Sequence, residues 1–346
     1  MMKIENSIPK STHTLDKSDF VSDQMVKWCP GCGAHAILNS VANAFPAIGY
    51  KKENYTFVSG IGCSSRFPYY MNVYGFHGIH GRAAAIATGV KLANTDLSVW
   101  IATGDGDSLA IGGNHFIHHI RRNIDTNVIL FNNQIYGLTK GQFSPTTPIG
   151  SITKTSPYGT IESSFNVGDL VLGAQGSFFA RGLDVLPKLM TDLMVEAAGH
   201  DGTSIIEVLQ NCIIFNDKAH QTVAGRENRD ENTILLKAGE RMVFGKDANK
   251  GLRFTNKGLE AVEIGKNGIT IDDILTHDPT DDNLFLQMAL VQMAPPTLPL
   301  AIGVIRKVKK PTYDDLMVAQ IENVKKNSKI KCMDDLLNSG DVFEVN

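Results

Sequence analysis

Apolar runs of strand length alternate with runs of helix length, and this alternation constrains the fold more than any other feature. LSVWIAT at 97–103 and NVILFN at 127–132 are nearly continuous apolar segments. Residues 108–122 between them have helix length, and an alanine-rich helix is predicted over 81–93. Continuous apolar strands separated by helices are typical of a mostly parallel sheet covered by helices on both faces. The pattern therefore predicts an α/β fold.

The same alternation sets the expected domain limits. Further strands are predicted at 55–60 and 204–209, and we expect the second to complete the sheet. Residues 1–27 are polar and lack an apolar period, which predicts an N-terminal arm that becomes ordered only against another surface. Beyond residue 225 the chain turns into charged, irregular stretches. We expect a core domain over 28–225 and a smaller C-terminal region over 226–346.

Composition narrows the function classes. A net charge of -3 provides no basic field to attract nucleic acid, so none is expected as a partner. No apolar run reaches the roughly 20 residues of a membrane-spanning helix, and the N-terminal residues lack the apolar core of a signal peptide. We therefore expect no membrane association and a cytoplasmic location. Five cysteines are too few for a disulfide scaffold, and a reducing compartment leaves them as thiols or metal ligands.

Polar turns follow two of the predicted strands. GDGD at 104–107 comes directly after LSVWIAT, and NN at 132–133 ends the next strand. Open α/β sheets bind ligands at the carboxyl ends of their strands, where glycines admit a phosphate and a helix N-terminus attracts it. A carboxylate beside a phosphate is expected to share a magnesium ion, which takes hard oxygen ligands. A bare turn from strand to helix is the alternative interpretation of a single GDG.

The two turns together resemble the signature of thiamine diphosphate enzymes, with Asp105 and Asn133 28 positions apart. This resemblance implies that Asp105, Asn133 and the backbone carbonyl of Ile135 bind Mg²⁺, which bridges the protein and the diphosphate. No GxxxxGK[ST] or strand-GxGxxG-helix motif competes with it. A loop over 137–160, rich in Gly, Ser, Thr and Pro, is longer than a compact domain usually tolerates. We expect this loop to cover the site.

Four cysteines occur where the predicted sheet would bring them together. Cys29 and Cys32 form a CPGC knuckle, whose Pro-Gly turn lets two thiolates face one metal. Cys63 and Cys212 each follow a predicted strand, at the edge expected to carry the GDG turn. Four thiolates there could bind a [4Fe-4S] cluster. Structural zinc and unliganded thiols are the alternatives, although only a cluster accepts electrons from thiamine chemistry. Cys332 is expected to be an ordinary thiol.

Taken together, these motifs resemble a known family, the beta subunits of the 2-oxoacid:ferredoxin oxidoreductases, and within it the 2-oxoglutarate type. The resemblance covers about residues 25–225 and runs through CPGCG, GIGCSSR, HGRAAAIATGVKLAN, TGDGDSLAIGGNH, NNQIYGLTKGQFSPTT and QNC. It implies a thiamine diphosphate-binding (PP-type) fold, with a cluster held by Cys29, Cys32, Cys63 and Cys212. The implied cofactor contacts are Ile61, Gly62, Cys63, Ser64, His80, Gly106, Asp107, Gly137 and Leu138.

The family implies oxidative decarboxylation of 2-oxoglutarate with coenzyme A to succinyl-CoA and CO₂, or the reverse. Electrons pass through the cluster to ferredoxin or flavodoxin. In this family the second half of the cofactor site lies on an alpha subunit, so the resemblance implies an αβ or (αβ)₂ assembly and an inactive isolated chain. Lys140 in GLTKGQ and Arg66 after CSS are candidate partners for the distal carboxylate of 2-oxoglutarate. A solvated charge or a phosphate contact is the alternative for each.

Other functions stay in competition at this point. One is a pyruvate or broad 2-oxoacid:ferredoxin oxidoreductase subunit, since the family's pyruvate enzymes commonly have glycine at the position of Lys140. Another is a non-redox thiamine diphosphate-dependent lyase or synthase, whose cysteines hold zinc or nothing. A zinc-ribbon binding module without catalysis leaves the spacing from GDG to NN unexplained. A bound iron-sulfur cluster would exclude the lyase or synthase. Failure to bind thiamine diphosphate with Mg²⁺, even with the partner subunit present, would favour the zinc-ribbon module.

Overall fold

The computed structural model describes residues 8–343 and residue 345. The helices are α1 Ala34–Ile48, α2 Phe67–Tyr70, α3 Ala83–Ala93, α4 Asp105–Leu109, α5 Gly113–Arg122, α6 Val167–Gly173, α7 Pro187–Ala198, α8 Gln221–Ala224, α9 Arg229–Asn232, α10 Leu284–Gln292, α11 Tyr313–Asn327 and α12 Met333–Leu337. The strands are β1 Tyr55–Ser59, β2 Tyr74–His77, β3 Ser98–Gly104, β4 Thr126–Asn132, β5 Phe178–Leu183, β6 Thr203–Leu209, β7 Thr233–Leu236, β8 Val243–Phe244, β9 Lys250–Thr255, β10 Gly258–Glu263 and β11 Leu300–Lys307. Short 3-10 helices lie at Lys17–Phe20, Lys52–Asn54, Ser64–Arg66 and Ile271–Asp273. None of these helices is both long and apolar enough to cross a membrane.

Within the described residues, eight strands form one sheet in the order β2-β1-β3-β4-β6-β5-β11-β7. Every neighbouring pair runs parallel except β5 and β11. The mostly parallel α/β sheet expected from the sequence is confirmed. Strands β8, β9 and β10 form a separate antiparallel sheet in the C-terminal region.

Helices cover the sheet on both faces, because its central strands are apolar on both. In β1 and β3, Phe57 and Trp100 pack on one face against α1 and α7. Their neighbours Val58 and Ile101 pack on the opposite face with residues of α3, α5, α6 and α10. All of these strand residues are buried. Alternate side chains thus enter two different cores, which explains why the sequence shows continuous apolar runs rather than alternation.

The sheet extends further than the sequence indicated, and the expectation that residues 204–209 complete it is wrong. Strand β6 is central, with β5, β11 and β7 beyond it. Strand β5 escapes pattern recognition because it carries Arg181, which is buried and forms an ion pair with Glu207 of β6. Strands β7 and β11 lie after residue 225, so the sheet crosses the predicted domain limit. That limit stays a prediction.

The helix predicted over 108–122 is divided into α4 and α5. Residues 110–112 interrupt it, and the backbone N–H of Gly112 donates to the carbonyl of Asp107 at 3.1 Å. A Cβ on Gly81 would lie 2.4 Å from the nitrogen of Gly112, so the two backbones approach too closely for a side chain. This contact brings the segment that carries His80 against the GDG turn.

The predicted N-terminal arm packs against this chain's own core from residue 8 onward; residues 1–7 lie outside the described residues. Phe20 is completely buried, and its ring makes edge contacts with Phe45 and Tyr55 at centroid distances of 5.3 and 5.5 Å. Val21 forms a β-bridge with Met71. The surface that orders the arm therefore belongs to the domain itself.

Candidate active site

The carboxyl ends of four neighbouring strands meet at one edge of the sheet. Gly104 of β3 pairs with Phe131 of β4, and Asn132 of β4 pairs with Leu209 of β6. Strand β1 lies on the other side of β3 in parallel register. The turns after these strands therefore lie side by side, as expected for a parallel sheet. They surround two adjoining cavities.

The first, which we call the cofactor cavity, has a volume of about 220 Å³. It is formed by the turns after β1, β3 and β4 and by the segment at His80. The structure brings together here every residue predicted to contact thiamine diphosphate or Mg²⁺. Its lining comprises Ile61, Gly62, Cys63, Ser64, His80, Gly104, Asp105, Gly106, Asp107, Phe131, Asn133, Ile135, Tyr136, Gly137, Leu138 and Thr139.

Asp105 is a buried carboxylate at the wall of this cavity, only 2% exposed. Its Oδ2 accepts hydrogen bonds from the hydroxyls of Ser144 at 2.6 Å and Thr146 at 2.5 Å. No Lys, Arg or His in the described part of the chain forms an ion pair with it. Burial raises the pKa of Asp105 to about 6 although both hydroxyls lower it. A buried carboxylate without a cation nearby has the chemistry of a magnesium ligand.

Asp107, two residues later, connects the GDG turn to neighbouring segments through hydrogen bonds. Its Oδ1 accepts from the backbone N–H of Gly81 at 2.7 Å, and its Oδ2 accepts from the hydroxyl of Thr103 at 2.8 Å. Burial raises the pKa of Asp107, which these hydrogen bonds oppose. The carboxylate thus holds the segment of His80 at the rim of the cofactor cavity. Its own contact with a cofactor stays a prediction.

The Tyr136 ring leaves no space for a side chain at position 106. A Cβ at position 106 would lie 2.3 Å from the Tyr136 ring, and the phenol donates to the carbonyl of Gly106 at 2.8 Å. Burial, with Asp105 and Asp107 nearby, raises the pKa of Tyr136 to about 12, so the phenol keeps its proton. The GDG turn is therefore held from one side by Tyr136.

The loop over 137–160 reaches into the site through Ser144 and Thr146, as its length suggested. Thr146 donates to Asp105 and also bonds Oδ1 of Asn132 at 2.9 Å. Asn132 donates in turn to Glu207 at 2.8 Å. The sequence predicted the loop as a whole but did not single out Ser144 or Thr146 as site residues. Hydroxyl-rich FSPTT was the available signal, but without the fold nothing aligned those hydroxyls with the carboxylate 39 and 41 positions earlier.

The second space, which we call the cysteine cavity, has a volume of about 260 Å³. It brings together the four cysteines predicted to converge, Cys29, Cys32, Cys63 and Cys212. Apolar side chains from the segment after β6, including Phe215, line it as well. The two cavities share Cys63, Asn133, Gly137 and Leu138 as a common wall.

Hydrogen bonds hold the cysteine-bearing segments against one another. The indole of Trp28 donates to the carbonyl of Cys63 at 2.7 Å, and the N–H of Gly33 donates to Asn211 at 3.2 Å. Burial, reinforced by the three neighbouring thiols, raises the pKa of Cys63 to about 11. Among the described residues no group of three or more Cys, His, Asp or Glu side chains stands in an arrangement that could hold a metal ion. The thiols share a cavity without already forming a coordination shell.

Comparison with known proteins decides the family. Residues 60–208 match the thiamine pyrophosphate enzyme family, C-terminal TPP binding domain. The chain is 45% identical over 315 residues to the 2-oxoglutarate oxidoreductase subunit KorB of Mycobacterium tuberculosis, covering 91% of this chain and 84% of that relative. The chain belongs to the beta subunits of the 2-oxoacid:ferredoxin oxidoreductases. The predicted family and thiamine diphosphate-binding fold are confirmed.

Two further comparisons agree with this family. The 2-oxoglutarate synthase subunit KorB of Methanothermobacter thermautotrophicus is 45% identical over 209 residues, which are 60% of this beta subunit and 70% of the relative. A solved 2-oxoglutarate:ferredoxin oxidoreductase from Magnetococcus marinus, with 2-oxoglutarate, coenzyme A and succinyl-CoA bound, superposes with a TM-score of 0.76. Its sequence identity is 29%, and the match covers 95% of this chain and 97% of that chain.

The two candidate cations for substrate recognition lie on the cysteine side of the beta subunit. Lys140 and Arg66 both line the cysteine cavity, and neither belongs to the lining of the cofactor cavity. Lys140 has a φ of 76°, in the left-handed region that favours glycine. A lysine at such a position costs about 1–2 kcal/mol of conformational free energy. The role of Lys140 in substrate recognition stays a prediction.

Proposed function

We propose that this beta subunit acts in a 2-oxoglutarate:ferredoxin oxidoreductase. The enzyme converts 2-oxoglutarate and coenzyme A into succinyl-CoA and CO₂, or runs in reverse. The forward reaction releases two electrons, which leave singly to ferredoxin or flavodoxin. The observation that carries the proposal is the common wall of the two cavities, since Cys63 and Asn133 each line both. A site for carbon chemistry and a site for electron removal thus adjoin.

Thiamine diphosphate would occupy the cofactor cavity, with Mg²⁺ held by Asp105, Asn133 and the carbonyl of Ile135. Asp105 fits because its carboxylate is buried without a cationic partner among the described residues. Asn133 fits because it lines this cavity together with Ile135. Its Oδ1 accepts the backbone N–H of Ile135 at 3.2 Å and keeps a second lone pair for a metal. When bound, thiamine diphosphate supplies the nucleophilic carbon for the 2-oxo group. The chain's own groups position its diphosphate.

The cysteine cavity would hold a [4Fe-4S] cluster on Cys29, Cys32, Cys63 and Cys212. The donor set fits, because four thiols enter one cavity and all are free. Free thiols in this number also fit a reducing compartment, so we propose that the enzyme works in the cytoplasm. When bound, the cluster would supply one-electron steps, which a zinc ion on the same cysteines would not.

A partner subunit would complete the site. The family match at residues 60–208 covers one cofactor-binding half. Thiamine enzymes need a glutamate from a second half to activate the aminopyrimidine ring, so an alpha subunit supplies it in this proposal. The beta subunit alone would bind the diphosphate end and the cluster without turning over. The assembly is an αβ pair or an (αβ)₂ complex.

Lys140 and Arg66 are proposed to pair with the distal carboxylate of 2-oxoglutarate. Neither side chain forms an ion pair with another residue in the described ranges. The positive charge of Arg66 also acts on the neighbouring Cys63 thiol, where it opposes the rise in pKa that burial causes. Both line the same cavity as Gly137 and Leu138, which belong to the common wall. Pyruvate lacks the distal carboxylate. This arrangement therefore favours 2-oxoglutarate over pyruvate.

The test is a substrate panel on the anaerobically purified αβ complex with coenzyme A, which follows reduction of a low-potential acceptor. Iron and acid-labile sulfide are measured in the same preparation. We expect bound iron and sulfide, and faster reduction with 2-oxoglutarate than with pyruvate. Reaction with only branched or aryl 2-oxo acids would overturn the substrate. A colourless complex with stoichiometric zinc would instead support a non-redox lyase or synthase.

A further inference from the structure

Gln210 lines the cysteine cavity and contacts Asn133, which belongs to the wall that the two cavities share. It follows the last residue of β6 and is only 2% exposed. Its side-chain amide has one partner on each side. Nε2 donates to Sγ of Cys32 at 3.1 Å, and Oε1 accepts from Nδ2 of Asn133 at 3.4 Å. A single amide therefore contacts a proposed cluster ligand and a proposed magnesium ligand.

The direction of these hydrogen bonds is fixed by the backbone. The N–H of Ile135 donates to Oδ1 of Asn133, so Nδ2 of Asn133 is the end that faces Gln210. Gln210 must then accept through Oε1, which turns its own Nε2 toward Cys32. The two amide groups have the same orientation: each N–H end faces the sulfur, and each carbonyl end faces the proposed magnesium side.

Packing leaves Gln210 little freedom to turn away. Its backbone N–H donates to the carbonyl of Asn132 at 3.0 Å. On the opposite side, the cysteine knuckle packs closely against Gln210, because a Cβ on Gly33 would lie 2.9 Å from Cγ of Gln210. The same Cβ would lie 1.9 Å from Oδ2 of Asp184. Position 33 therefore admits only glycine without displacing its neighbours. The knuckle and the Gln210 amide are held as one unit.

We propose that Gln210 couples the two cofactor sites by positioning and polarising both Asn133 and Cys32. This inference rests on the proposed function. A cation at Oδ1 of Asn133 withdraws charge along the amides and strengthens the N–H···S hydrogen bond, because hydrogen bonds in series polarise one another. A stronger hydrogen bond to a sulfur ligand favours the reduced, more negative cluster. Magnesium at one site thus raises the reduction potential at the other, and the coupling is reciprocal.

Gln210→Leu removes both hydrogen bonds because it replaces the amide with an apolar side chain. In the αβ complex with thiamine diphosphate, an EPR-monitored redox titration gives the midpoint potential with and without Mg²⁺. The wild type is expected to show a higher potential when Mg²⁺ is present. We expect the leucine variant to lose this rise. Its potential should fall by about 59 mV, a tenfold change in the one-electron equilibrium.

Gln210→Glu separates the two halves of the coupling. Its carboxylate still accepts from Asn133 but cannot donate to Cys32 when ionised. We expect the Mg²⁺ concentration needed for thiamine diphosphate binding to stay within about twofold of wild type, while the midpoint potential falls. In the leucine variant the same Mg²⁺ requirement should rise about threefold or more, because Asn133 loses the partner that orients it.

Gln221→Leu is the matched control, because Gln221 lies in α8 and its amide bonds Glu227 rather than either cavity. It should leave both the potential and the Mg²⁺ requirement unchanged. If the iron-containing Gln210→Leu complex has the wild-type midpoint potential and the wild-type Mg²⁺ requirement, the coupling is overturned. The proposed function would then stay intact. An iron-free wild-type complex would overturn the proposed function and the coupling to a cluster. The magnesium titration then decides whether Gln210 orients Asn133.

Discussion

The cofactor cavity and the cysteine cavity share a wall but are stabilised differently. In the cofactor cavity, the two carboxylates already have protein partners. Asp105 accepts hydrogen bonds from two hydroxyls, and Asp107 accepts them from Gly81 and Thr103. In the cysteine cavity, by contrast, the four thiols lie close together without a coordination geometry. The first site is organised without a ligand, and we expect the second to become organised only when its proposed ligand binds.

Donor chemistry explains the difference. Carboxylates and amides accept strong hydrogen bonds, so neighbouring residues can fix them in place. Thiols form weak hydrogen bonds, and burial raises the pKa of Cys32 and Cys63, which favours the neutral form. Metal binding replaces the thiol protons and contributes folding free energy directly. Substitutions and metal removal on the two sides should therefore act on different properties.

The largest expected effect is on iron content. Cys63→Ser removes one of the four proposed ligands, and we expect iron and sulfide in the purified complex to fall to background. Cys332→Ser is the matched control, because Cys332 is exposed in the C-terminal region. It should retain the full iron content. Equal iron in both variants would contradict the assignment of the cysteine cavity as a cluster site.

Asp105→Asn should weaken Mg²⁺ binding in the cofactor cavity. It keeps the shape that accepts from Ser144 and Thr146 but removes the charge, so the Mg²⁺ needed for thiamine diphosphate binding should rise about 100-fold or more. Iron content should be unchanged. Calorimetric titration of the cofactor at several Mg²⁺ concentrations checks the first expectation. An unchanged Mg²⁺ requirement would exclude Asp105 as a ligand.

The same substitution should stabilise the metal-free chain by about 1–3 kcal/mol at neutral pH, because a buried charge without a cation disappears. Burial raises the pKa of Asp105 from 3.8 to about 6, so the folded form binds the proton more tightly than the unfolded form. Wild-type stability therefore falls as the pH rises from about 4 through 6. The gain from asparagine should grow over this interval in denaturant unfolding with a chelator, and a pH-independent gain would contradict it.

Removing the proposed cluster should increase backbone motion around the cysteine cavity but not around the cofactor cavity. After iron chelation under anaerobic conditions, we expect amide hydrogen exchange to rise about tenfold around Cys29–Gly33 and Ile213–Phe215. The segment Ser144–Thr147 should exchange as before, since its hydrogen bonds to Asp105 do not depend on iron. A uniform rise across both segments would show that the two cavities are not independently organised.

The smallest expected effect concerns substrate choice. Lys140→Ala should raise the KM for 2-oxoglutarate about tenfold, the equivalent of about 1.4 kcal/mol, with less than a twofold change for pyruvate. Lys237→Ala, which removes an exposed lysine that pairs with Glu240, is the control and should change neither. Equal changes for both 2-oxo acids would remove the selectivity argument. Steady-state kinetics on the αβ complex decides.

Much of the cofactor edge could be predicted because its residues follow strands with a strong local signature. Asp105 and Asn133 come directly after β3 and β4, and parallel strands place such positions side by side. The cysteines converge by the same logic, since Cys63 and Cys212 follow β1 and β6. The family resemblance added the cofactor contacts, which strand positions alone do not give.

The parts of the fold and the site that could not be predicted depend on contacts between residues far apart in the sequence, which no local pattern shows. Arg181 interrupts the apolar run of β5, and only its partner Glu207, 26 positions later, makes it compatible with a buried strand. Thr146 and Gln210 look like ordinary loop residues until the fold places them against Asp105, Cys32 and Asn133. Buried polar networks of this kind are specified by three-dimensional partners rather than by periodicity.

The central claim is that carbon chemistry in the cofactor cavity sends electrons into the adjoining cysteine cavity. Mixing the oxidised αβ complex, loaded with thiamine diphosphate and Mg²⁺, with 2-oxoglutarate and coenzyme A in a stopped-flow spectrometer tests it directly in the absence of ferredoxin. We predict bleaching of the visible cluster absorbance that requires 2-oxoglutarate and accompanies CO₂ release. Release of CO₂ with an unchanged cluster spectrum would contradict the account.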